Sequence, residues 1–191
     1  MNGEDLARDL ALLAARLTVG GSIAAHGAQK MFGAFDGPGP EKAGGFFKML
    51  GFEEGERYAR AASAAEMTSG ALIALGAFGP AGPAMLLSVM AVAVETVHRP
   101  KGYFNDKGGF ELNTMYAVIA LLLATNGPGA LSFDALLGLN KRFNAVHGWL
   151  ALFGGLMGAA MILSKRTPQP PAHEQSVSSA GEVAQEERVG A

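Results

Sequence analysis

The sequence predicts an all-α, polytopic membrane helical bundle: a four-helix core followed by a fifth C-terminal transmembrane helix. Hydrophobic residues make up 49% of the chain and charged residues only 17%, an apolar balance unusual for a domain in water. The apolar residues are also gathered into runs at 17–29, 67–94, 112–133 and 143–164, and about 20 such residues is what a helix needs to cross a bilayer. Glycine and proline clusters separate the runs. The competing class is a soluble, alanine-rich bundle, because Glu66 and Glu95 interrupt or border two runs and 27 glycines dilute the hydrophobicity.

The elements follow in order. A first helix is expected over about 8–32, then a polar loop in which FFKML forms a short helix at the interface, too short to span. A second helix covers about 57–78 and ends at GPAGP, a turn tight enough to set the next helix antiparallel to it. The third runs about 84–98 and stops at Pro100, which has no N–H to continue the ladder. The fourth occupies 111–126, closed by Gly127-Pro128-Gly129. Ser132 or Asp134 caps a short helix, and the fifth long helix spans about 143–163 with Ser164, Lys165 and Arg166 as its polar stop. The chain therefore divides into a core at 1–134, a linker with the fifth helix at 135–164, and a tail at 165–191 too poor in large apolar residues to offset its ordering entropy. Gly20, Ala24 and Ala28, Gly70 and Ala74, and Gly154 and Gly158 mark close helix contacts, since small residues let backbones approach in lipid.

Several chemistries are excluded. The chain has no cysteine, which removes thiolate nucleophiles, disulfide exchange and thiolate metal sites. Its net charge of −2 gives no basic field for nucleic acid. No spacing of histidine and glutamate resembles a zincin or di-iron motif and no P-loop is present, so no metal site is assigned. The opening MNGEDLARDL lacks a basic n-region and cleavage site, so the first span is expected to persist as a helix.

Threading the helices alternately through a bilayer brings His26, Lys30, Glu66, Glu95, His98 and Glu111 to one side, that of the loop after the first helix. His26 and Lys30 share a helix face, as do Glu95 and His98. A carboxylate within hydrocarbon costs about 2.5–3.5 kcal/mol, so Glu66 needs a partner, a proton or a wet cavity, and Lys30 and His26 are its natural partners. The plainer reading has Lys30 snorkelling to headgroups, His98 with Arg99 and Lys101 as an interfacial flank, and Glu95 capping that edge. Arg16 reads as structural, paired with a backbone carbonyl or with Asp134, and His147 as an interfacial residue. The opposite side carries the uncharged GPAGP turn and GPGALSFD. Histidines 26 and 98 as axial haem ligands fare worse, because such pairs usually lie deeper. Lysine and arginine are in excess on the first-loop side, which places that side in the cytoplasm.

HGAQKMFGAFDGPG, FFKMLGF, Glu66 leading into SGALIALG, AVAVETVHRPKGYF, GGFELN and GPGALSFD recur in an order and spacing by which the chain resembles the DoxX family of bacterial integral membrane proteins over about 8–134. The resemblance implies a multi-pass protein of the cell (plasma) membrane and a place in an oxidoreductase complex. The family name is tied to small membrane subunits of a thiosulfate:quinone oxidoreductase, and relatives are described in complexes with a superoxide dismutase and a thiosulfate sulfurtransferase. Cysteine-dependent redox chemistry known among related four-helix proteins cannot be carried over to a chain without cysteine. The expectation is a membrane subunit coupling soluble redox partners to the quinone pool, with quinone as its candidate cofactor and the six ionisable residues as its site. The alternative is a non-catalytic membrane anchor or scaffold whose polar cluster is structural; a transporter lacks the broken helices or inverted repeat that would support it.

Overall fold

The computed structural model describes residues 3–167. The polar tail expected from 165 thus lies, from residue 168 on, outside the described residues. The secondary structure described is all helical: α1 (Gly3–Phe32), α2 (Gly39–Met49), α3 (Gly55–Leu75), α4 (Ala81–Ala93), α5 (Glu111–Asn126), the single turn α6 (Phe133–Leu136) and α7 (Ala145–Leu163). Among the described residues, three helical stretches are long and apolar enough to cross a membrane: Gly3–Phe32, Ala81–Lys101 and Ala145–Leu163. α3 is diluted by Arg60, Glu66 and its hydroxyl residues, and α5 is only 16 residues long.

Five long helices appear in the expected order, with small differences at their ends that have local causes. α3 stops at Gly76 because that residue takes the left-handed conformation, φ 64°, and its amide and that of Ala77 turn back to the carbonyls of Ile73 and Leu72. α4 starts at Ala81, three residues before the expected 84, since Pro83 in a first turn gives up an N–H that has no partner there anyway. Pro100 acts upstream as well as at the stop. It removes the donor for the Thr96 carbonyl and crowds it, and α4 widens into a π turn over Val94–His98 before ending as a 3-10 turn at Arg99–Lys101. The Thr96 hydroxyl donates to the Val92 carbonyl, 2.8 Å, within that widened turn. FFKM lies in a longer amphipathic helix, α2, with Leu50 as its C-cap; the helix begins in the preceding Gly-Pro run and packs on α3.

α1 and α3 pack antiparallel along a seam of small residues. A Cβ on Gly20 would meet the Gly70 carbonyl and Ala74, and one on Gly70 would meet the Gly20 carbonyl and Ala24. Farther along, Gly27 lies against Ser63 and Met67. α3 and α4 form a hairpin through the 76–80 turn, and a core of Val19, Ile23, Ile73, Leu86, Met90, Ala120 and Leu123 joins α1, α3, α4 and α5. α7 packs on α4 and α5 through Gly155 against the Ala84 carbonyl and Gly148 against that of Ala124. Gly154, expected at a contact, faces open space, whereas Gly158 reaches only the Ser88 hydroxyl at 3.6 Å. The far end of α7 is fastened to the α2–α3 turn: Arg166 Nε donates to the Leu50 carbonyl, 2.5 Å, and the Thr167 amide to that of Gly51, 2.9 Å.

Candidate functional site

The α1–α3 seam sets the register that brings charges together. With Gly20 beside Gly70 and Gly27 beside Ser63 and Met67, His26 stands level with Glu66 and Lys30 one turn nearer the end of α1. Helical side chains lean toward their own N-terminus, so Lys30 reaches back. Its Nζ forms an ion pair with Oε2 of Glu66, whose side chain is 10% exposed. Apart from that ammonium, the buried oxygen has no hydrogen-bond partner among the described residues. His26 is within Coulombic reach of the same carboxylate.

These groups line a cavity of about 430 Å³ enclosed mainly by apolar side chains of α1, α2, α3, α4 and α5, with Ile162 of α7 at its edge. His98, Asn113 and Tyr116 line it too. The π turn delivers His98 to this wall, and the following loop holds the ring: Nδ1 lies 2.7 Å from the Gly108 carbonyl oxygen. Asn113 Nδ2 contacts the Met90 sulfur at 3.5 Å.

Glu95 and Glu111 are engaged elsewhere. Glu95 pairs with Arg99 one turn on, 2.6 Å, on an exposed surface. Glu111 accepts from the Asn105 amide, 3.0 Å, and helps close the 102–111 loop. Four of the six sequence candidates therefore share the cavity wall, and Glu95 and Glu111 do not line it.

Residues 11–99 match the family model described as DoxX. Over that stretch the chain carries a DoxX domain. Among curated proteins and among solved structures nothing matches it. The DoxX segment runs from Ala11 within α1 through the π turn, so His26, Lys30, Glu66, Glu95 and His98 fall within it and Glu111 beyond it. With apolar helices long enough to cross a bilayer, this DoxX chain is a membrane protein.

At the other end of the DoxX bundle, three charged residues are buried: Asp9, Arg16 and Asp134, the last two at 2% and 1% exposure. Arg16 donates to the Ala74 carbonyl, 3.4 Å, and to that of Leu131, taking the first of the two partners considered for it. Its guanidinium fills the space where a Cβ on residue 76 would sit, a second reason for Gly76. Asp134 accepts from the amides of Phe78, 2.9 Å, and Gly79, 2.6 Å, bracing a turn in which Phe78 holds a φ of 60° that disfavours a side chain. Asp9 accepts from the Ala130 amide, 3.0 Å. Ser132 caps α6, and His147 belongs to a capping box with Asn144 at the start of α7. The sequence signal for this network was a lone arginine in an apolar helix, with Asp134 as one of the partners considered for it; nothing pointed to Asp9.

Proposed function

We propose that the chain is a multi-pass subunit of the cell (plasma) membrane, with α3 and α5 crossing alongside the three longer helices, and that it gives a redox complex access to the quinone pool. The observation that carries this reading is the cavity. About 430 Å³ is within the range of small-molecule sites, and a mostly apolar wall interrupted by Lys30, Glu66, His26 and His98 suits an amphipathic molecule whose head exchanges protons. A quinone would supply two-electron, two-proton chemistry there. In this reading His26 or His98 hydrogen-bonds a head-group oxygen and Glu66, paired with Lys30, relays protons from the rim. Soluble partners of the kind the family resemblance implies, a superoxide dismutase and a sulfurtransferase, dock on the loops of that side.

The second reading is a non-catalytic anchor or scaffold, favoured by the fact that the Lys30–Glu66 pair ties α1 to α3 as a structural clamp does. Glu66→Gln separates the two. The quinone reading expects the complex to assemble normally and quinone reduction to fall about 10²-fold or more, the size of a lost proton-transfer group; the scaffold reading expects assembly itself to fail. Protein purified in lipid nanodiscs that retains no quinone, together with wild-type turnover in Glu66→Gln, would sink the first reading.

A further inference from the structure

We propose that the cavity selects a neutral head group bearing a hydroxyl donor, and that His98 Nε2 is the acceptor that reads it. This rests on the reading of the cavity as an amphipath site and names the chemical class it takes: a phenolic or hydroquinone-type head on an apolar body.

The argument begins in the loop after α4. A carbonyl oxygen can only accept, so the 2.7 Å contact between His98 Nδ1 and the Gly108 carbonyl places the proton on Nδ1. In a neutral imidazole the other nitrogen is then bare and acts only as an acceptor. Among the described residues nothing donates to it.

The carbonyl that sets this tautomer is itself fixed. The Gly109 amide donates to the Phe104 carbonyl, 3.0 Å, and that of Phe110 to Gly102, 3.2 Å, while the Glu111 amide donates to Tyr103, 2.9 Å. Gly108 has a φ of 75°, and Glu111 closes the loop from its side chain through Asn105. The loop thus serves as a backbone clamp on one histidine, and Glu111, far from the cavity wall in role, contributes through it.

The remaining polar groups decide the charge of the guest. Lys30 and Glu66 neutralise each other, so that pair leaves no net positive charge to hold a carboxylate or phosphate head, and a bare Nε2 lone pair repels one. The Lys30 ammonium has three N–H groups and the single ion pair does not occupy them all, leaving a donor for a second oxygen on the same head. A donor met by His98 and an acceptor met by Lys30, with apolar side chains around the rest, describe a molecule with a hydroxyl and a second oxygen on a ring.

The test uses the full chain in nanodiscs, with empty nanodiscs correcting for partition into lipid, and three probes that share one tail: a 4-alkylphenol, its methyl ether, and the corresponding 4-alkylbenzoate. The phenol should bind about tenfold tighter than the ether, the ratio that one hydrogen bond of about 1.4 kcal/mol supplies, and tighter than the benzoate. His98→Phe should bring the phenol-to-ether ratio close to one. Equal binding of phenol and ether by the wild-type protein overturns the role of His98 while leaving the cavity as an amphipath site, and tightest binding of the benzoate overturns the neutral head. Binding of none of the three overturns the cavity reading itself. The wild-type comparison stands even if His98→Phe fails to fold.

Discussion

Both ends of the bundle draw charged groups inward and use them in different ways. At the end holding the 76–80 turn, Asp9, Arg16 and Asp134 are bonded to backbone amides and carbonyls of neighbouring turns. At the other end Lys30 and Glu66 meet each other beside a cavity that His98 also lines. A charge bound to main chain holds a fold together and has little left to give a ligand, because moving it strands backbone groups. Side-chain pairs beside a void can exchange partners at far smaller cost to the chain.

The largest expected effect comes from breaking the first kind. Asp134→Ala leaves the amides of Phe78 and Gly79 without an acceptor. An orphaned buried group costs about 1–3 kcal/mol; both bonds here are part-buried, which keeps each in the lower part of that range, so stability should drop by about 2–4 kcal/mol, seen as unfolding at lower denaturing detergent. Lys30→Met combined with Glu66→Leu should change stability by no more than about 1 kcal/mol, since well-packed apolar replacements for a buried pair are often neutral, while the alkylphenol loses affinity. If that double variant unfolds as readily as Asp134→Ala, the contrast between the ends is gone and the scaffold reading gains. The smallest effect belongs to Glu95→Gln on the surface. Its exposed pair with Arg99 is worth at most about 0.5–1 kcal/mol, so the unfolding midpoint should barely move.

How much of this was legible follows from what local spacing can carry. Apolar runs and Gly-Pro breaks gave five long helices, with α5 at its observed limits of Glu111–Asn126. The antiparallel order then pointed Lys30 toward Glu66, because both lie a definable number of turns from ends that share a side. The cap of the short helix was read as Ser132 or Asp134; Ser132 takes it, and Asp134 instead accepts from a turn some 55 residues earlier in the chain. Contacts so distant in sequence leave no periodic trace. Glu95 and His98 look equivalent at i, i+3, but the π turn induced near Pro100 separates their surroundings. On α7 the spacing of Gly154 and Gly158 invited a contact that Gly148 and Gly155 make instead, since only the partner helices decide which glycine faces them.

The widened turn at Val94–His98 has a mechanical consequence. Each residue of an ordinary helix advances about 100° around its axis, so rewinding those five residues to the usual pitch would carry the imidazole about a quarter of a circle away from the void. Pro100 thus acts as a wedge that sets the bearing of a side chain two positions before it. Substituting it would turn that bearing without touching a single atom of the lining.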